Sequence, residues 1–140
     1  MTRNAIIAGL AAFAISAPAF AGDAAKGENE FKKCKACHSI TAADGTAIVK
    51  GGNTGPNLYG VVGRPVASYP DFKYGEGIQE AAAKGLVWDE AMIAAYVADP
   101  TAWLKEVTGD PKAKTKMTFK LPKNGADVAA YLASVGPASQ

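Results

Sequence analysis

At 140 residues the chain is sized for one domain, and its 49% hydrophobic content is ordinary for a globular protein. Fifteen Lys and Arg against thirteen Asp and Glu leave a net charge of +2, too balanced to imply a nucleic-acid partner. Two cysteines and a single histidine exclude a disulfide-stapled scaffold and a zinc site of the usual four protein ligands.

In chain order, residues 1–21 read as a cleaved secretory signal peptide. Arg3 supplies the positive start, Ala5 to Ile15 is almost wholly apolar, and Ala19-Phe20-Ala21 is a small-x-small cleavage site. The apolar run is shorter than the roughly 20 residues of a membrane span, so a retained anchor is the lesser reading and stable membrane insertion is not expected. Residues 22–140 then form the one domain, with 14 basic residues against 13 acidic once Arg3 is gone. Asp23 predicts a capped helix from Ala24 that runs into Cys34, with Gly27 and Phe31 on one face. A glycine inside a helix costs about 1 kcal/mol against alanine, which points to close approach by another helix.

From Ser39 to Gly77 the chain is rich in glycine and proline and shows no strand alternation; it reads as loop wrapped around something, carrying Arg64 and the aromatics Tyr69, Phe72 and Tyr74. A short helix over about Glu76–Lys84 ends at Gly85. Asp89 caps the next, with Trp88 stapled onto Ile93 and an apolar face of Met92, Ile93, Tyr96 and Val97. Asp99-Pro100 stops that helix and starts another, whose apolar side is Ala102, Trp103 and Leu104. An irregular lysine-rich loop holding Met117 follows. The last helix starts near Gly125 and buries Val128, Tyr131, Leu132 and Val135. The fold class is all-α, with about five short helices and long loops. So little secondary structure would make a poor core unless a large apolar plate completed it.

Cys34-Lys35-Ala36-Cys37-His38 supplies that plate. Two cysteines three apart with histidine next is the attachment pattern of covalent c-type haem: one helical turn sets both thiols over one edge of the macrocycle and aims the imidazole at the iron. A redox dithiol or a plain disulfide is the competing reading; the dithiol lacks its βαβ context. His38 is the only histidine, so a second axial ligand must be something else. Met92 lies on an apolar helix face and reads as core. Met117 lies in a loop with no helical reason to be apolar, and is the candidate second ligand; lysine ligation or an open iron compete with it.

Over residues 23–135 the chain resembles the class I c-type cytochromes, and among them the bacterial cytochromes c2. The motifs that carry the resemblance are the Cys34–His38 run, Thr54-Gly55-Pro56-Asn57-Leu58-Tyr59-Gly60, Gly63-Arg64, Trp88, Tyr96 and Thr115-Lys116-Met117-Thr118-Phe119. The resemblance implies one covalent haem c wrapped by the helices and loops, with Cys34 and Cys37 as thioether residues and His38 and Met117 as axial ligands. It further implies that the Pro56 carbonyl accepts a hydrogen bond from His38 and that Arg64, Tyr74, Trp88 and Thr115 hold buried propionates. Tyr96 is expected to bond the methionine sulfur, and Phe119 to lie at the haem edge. The helix crossing it implies is made by Gly27, Phe31, Val128 and Tyr131.

The function implied is a soluble, monomeric, periplasmic one-electron carrier, not an enzyme. It would run between a quinol-oxidising cytochrome bc1 complex and a photosynthetic reaction centre or terminal oxidase. Lys32, Lys35, Lys112, Lys114, Lys116, Lys120 and Lys123 are expected to dock acidic partner faces by electrostatic steering. The alternative is a gas-binding or peroxidase-like haem protein in which Met117 is labile.

Overall fold

Asp23 caps the first helix as expected. Its carboxylate accepts hydrogen bonds from the N–H groups of Ala25 (3.0 Å) and Lys26 (3.1 Å), capping α1, Ala24–Phe31. The computed structural model describes residues 22–137, so the expected leader 1–21 lies outside the described residues. α1 is shorter than expected. It closes at Phe31, and the cysteine motif follows as successive tight turns: Cys34 N–H donates to Phe31 O (2.8 Å), and both Cys37 and His38 N–H donate back to Cys34 O (3.1 and 2.9 Å).

One element appears where only loop was expected. Ile40–Thr41 (β1) pairs antiparallel with Ala47–Val49 (β2) around an Asp44-Gly45 turn, in which Gly45 takes φ +87°. Strands of two and three residues are too short to display an alternation, so the periodicity carried no signal. Asn57 fastens this hairpin to the loop beyond it: its side chain accepts from Thr41 N–H (3.0 Å) and donates to Thr41 C=O (2.8 Å).

The remaining helices are α2 (Glu76–Ala82), α3 (Glu90–Ala98), α4 (Pro100–Thr108) and α5 (Gly125–Val135). α2 ends within a turn of Gly85, whose φ is +74°. Asp89 caps α3 by accepting from Met92 N–H at 2.6 Å. Asp99 both ends α3 and caps α4, accepting from Ala102 N–H at 3.0 Å, with Pro100 in the first turn. The buried side of α4 differs from expectation. Ala102 is exposed, and the inward stripe is Pro100, Trp103, Leu104 and Val107, an i, i+3, i+4, i+7 series that begins at the proline.

α1 crosses α5, α3 packs on α5, and α2 on α4. At the first crossing the Phe31 and Tyr131 rings lie 5.7 Å apart. No side-chain Cβ fits at Gly27: it would run into the Asp127 carbonyl and come within 2.8 Å of Tyr131 Cβ. A second cluster joins α3, α4 and the loop before α3. Trp88 stacks on Trp103 (5.3 Å, 25°), and Tyr96 stands edge-on to Trp103 and tilted against Trp88. An isolated antiparallel bridge, Pro65 opposite Val87, brings the two loops together: Trp88 N–H donates to Arg64 O (2.9 Å) and Gly63 N–H to Trp88 O (2.7 Å). Arg64 and Trp88, distant in sequence, are thereby set side by side.

Candidate haem site

The core is open at its centre. A cleft of about 530 Å³, within the size range of small-molecule and cofactor sites, is walled by the buried side chains of Phe31, Val61, Trp88, Ile93, Val128 and Leu132. Cys34, Cys37 and His38 enter it from the turns after α1, and Met117 from the loop between α4 and α5. Met92 does not line it; it packs on the core from α3. The two methionines that sequence spacing weighed against each other are thus separated by position.

His38 is held as a ligand would need to be. Its Nδ1 lies 2.8 Å from Pro56 O, so Nδ1 carries the proton and donates, leaving the Nε2 lone pair free. Burial lowers the imidazole pKa; the Pro56 bond partly offsets this, and the Arg64 charge adds to the lowering. The net lowering favours a neutral ring with a free lone pair. Gly55 is the back wall of the ring: a Cβ there would lie 2.6 Å from Nδ1. Gly52 and Gly55 N–H groups close the loop onto the motif through Lys35 O (2.9 Å) and Cys37 O (2.8 Å). The Cys34 and Cys37 sulfurs are not joined to each other. Burial, with Glu30 nearby adding to it, pushes the Cys34 thiol up to about 11, so the sulfur is a neutral thiol rather than a solvated thiolate.

The polar side of the cleft fits a group that brings its own negative charge. Arg64 is partly buried, which pulls its guanidinium below its ordinary value, and it donates to Asn57 O (3.1 Å) and Tyr59 O (3.4 Å) with the Tyr69 ring 5.2 Å away. Among the described residues no carboxylate pairs with it. A half-buried cation with only carbonyl partners is matched by an anionic substituent in the cleft. The Tyr74 hydroxyl lines the same cleft and accepts from Tyr69 N–H (3.1 Å), which leaves its proton available to donate. Thr115 Oγ1 accepts from Met117 N–H (3.0 Å) and donates to Met117 O (3.2 Å), shaping the turn that carries the methionine. Burial raises the Tyr96 phenol pKa, with Thr115 beside it pulling part of the way back. Phe119 stands at the mouth, 41% exposed.

The lysines expected at the rim divide. Lys114 and Lys116 line the cleft, and Lys33 and Lys73 join them. Lys73 went unnoticed in the sequence because it lies 44 positions from Met117. Lys35, Lys112 and Lys123 are exposed. Lys32 bonds Asn29 (2.9 Å) and Lys116 bonds Lys73 O (3.2 Å), both in the open. Lys120, grouped with the docking charges, pairs with Asp99 at 2.8 Å. Gly55 and Asn57, to which sequence reading assigned no role beyond membership of the Thr54–Gly60 motif, are further structural residues of the site.

No protein-family model matches the chain. Among known proteins it is 65% identical over 126 residues to cytochrome c2 of Rhodobacter capsulatus, covering 90% of this chain and 92% of that one. It is 63% identical over 139 residues to cytochrome c-550 of Paracoccus versutus, covering 96% and 90%. The crystal structure of ferric cytochrome c-550 from Paracoccus versutus superimposes with a TM-score of 0.82 at 66% identity, over 84% of this chain and all of that one. That of cytochrome c2 from Rhodobacter capsulatus gives 0.80 at 66% identity, over 81% and 98%. A cleft that presents two thiols, a pre-set imidazole and an unpaired arginine, in a chain this similar to those proteins, belongs to the class I c-type cytochromes of the cytochrome c2 kind: electron carriers, not enzymes, built on one covalent haem c with its iron.

Proposed function

We propose that this carrier works in the periplasm as a monomer. It would take single electrons from a quinol-oxidising cytochrome bc1 complex and deliver them to a photosynthetic reaction centre or a terminal oxidase. Cys34 and Cys37 form the thioethers, and His38 and Met117 are the axial ligands. The observation that carries the reading is that His38, its Nδ1–H given to Pro56 O, shares one cleft with Met117, while Met92 is outside it. Export follows from the leader at 1–21, with Gly22 as the first mature residue. Asp23, the next one, donates its N–H to Asp127 Oδ1 at 2.8 Å.

When bound, the haem supplies an iron that accepts and returns one electron. The chain does the rest. Pro56 holds the His38 ring in one tautomer and orientation, so its donor atom need not reorganise between oxidation states. Thr115 fixes the Met117 backbone, and a thioether is a soft ligand that favours the reduced state. The apolar wall excludes water and disfavours the extra positive charge of the oxidised state, while Arg64 and Tyr74 meet the acidic substituents. Phe119 and the rim lysines leave one edge of the cleft accessible to partners.

Two measurements test this. In Met117→Ala the weak charge-transfer band at the red end of the ferric spectrum should vanish and the potential should fall, on the order of 100 mV within the range of about 0.8 V that axial ligands command. An unchanged spectrum removes Met117 from the iron. The second concerns Lys35, Lys112, Lys114, Lys116 and Lys123. If they steer the chain onto acidic partners, the bimolecular electron-transfer rate with such a partner should drop about tenfold or more between low and high ionic strength. A flat profile would leave those lysines as mere solubilising charge.

A further inference from the structure

The Met117 loop returns to the body of the protein along α3. Leu121 is buried and donates its N–H to Val97 O at 2.7 Å, but the three residues between Met117 and Leu121 are all exposed. Among the described residues, one side-chain link ties that exposed stretch back: Lys120 Nζ to Asp99 Oδ2, 2.8 Å. The other carboxylate oxygen of Asp99 is already committed, accepting from Ala102 N–H at 3.0 Å as the cap of α4. Asp99 sits at the joint where α3 ends and α4 begins.

An exposed ion pair usually contributes little, because two mobile side chains must be ordered to form it. Here the capping bond has already fixed one of the two. We propose that Asp99 is a positioning residue for Met117: it anchors the downstream leg of the methionine loop, through Lys120, to the α3–α4 joint and so slows the release of the sulfur. This rests on Met117 being the axial ligand, as proposed above. Asp99 touches neither the cofactor nor the reacting atoms; it acts through the loop. It also removes Lys120 from the set of charges free to meet a partner.

The test is the rate at which added imidazole replaces the methionine in the ferric holoprotein, followed at the red-end band at about pH 8.5, where imidazole is neutral. Lys120→Gln breaks the pair. Asp99→Asn breaks it too while keeping a competent helix cap. Each should speed imidazole entry about twofold to fivefold, with the band itself retained. The double variant should be no faster than either single one, and Lys120→Arg should restore the native rate. Added salt should speed the native protein and leave Asp99→Asn unchanged, since the pair is exposed and screened. Native rates in both single variants, or effects that simply add in the double, would overturn the proposal. Met117→Ala run alongside keeps the two readings apart: a band and an imidazole rate unchanged in that variant would refute the ligand assignment, whatever the Asp99 variants do.

Discussion

A chain carrying Cys34→Ser and Cys37→Ser, produced without haem attachment, is expected to lack stable tertiary structure. The walls of the cleft are the core itself: Phe31, Trp88, Ile93 and Leu132 are all buried residues that also face the opening. With nothing in it, those apolar walls are left facing water, and each such side chain forfeits about 1.5–3 kcal/mol of burial in so far as it is wetted. Stability of a domain this size totals only about 5–15 kcal/mol. Among the described residues the longest helix has 11 residues and the other four have seven to nine, lengths at which a helix is marginal without packing. Far-UV circular dichroism of the double variant should therefore show most helical signal lost at room temperature, and its near-UV signal absent. A cooperative thermal transition in the haem-free chain would contradict the idea that the cofactor completes the core.

Gly27→Val should be the most damaging single substitution outside the ligands. The first and last helices meet where Gly27 faces Asp127 and Tyr131, and a Cβ there collides with backbone, which cannot rotate away as a side chain can. Valine adds β-branched bulk to the collision. Separating the helices would also loosen Phe31 from Tyr131, whose rings are 5.7 Å apart. The expected loss is about 3 kcal/mol, at the upper end of overpacking effects. It would be read as a lower guanidinium midpoint with the denaturant slope preserved. The haem spectrum should be little changed, because His38 lies in the turns beyond α1 and Met117 in the loop before α5, neither of them at the crossing. A native midpoint would mean that α1 and α5 can part at little cost.

How much of this was legible beforehand depended on whether the signal was local. Caps are local, and Asp23, Asp89 and Asp99 start their helices where expected. Helix faces came through where periodicity was long enough, as in α5, and failed in α4. There the stripe begins at Pro100, a residue read only as a helix starter, so Ala102 was turned inward when it points to solvent. The hairpin of β1 and β2 escaped because strands of two and three residues cannot display a period. The haem motif is five consecutive residues, so its chemistry was legible locally, with a dithiol or a disulfide as the lesser readings. The lysine rim was legible only as composition: Lys120 was grouped with its neighbours although Asp99, 21 positions away, engages it.

What the amino-acid order determined alone is the chemistry at hand: two thiols and an imidazole on one turn, a single histidine, and a loop methionine with no packing reason to be there. Those are properties of neighbours in the chain. The tertiary structure decided everything that needs distant residues to meet. It brought Met117 rather than Met92 to the cleft, paired Arg64 with Trp88 across an isolated bridge, and set Gly55 behind the imidazole. The physical reason is that each of these depends on how loops close over an apolar cavity. Loop closure is governed by packing and by backbone hydrogen bonds between remote segments, and neither leaves a periodic trace in the sequence.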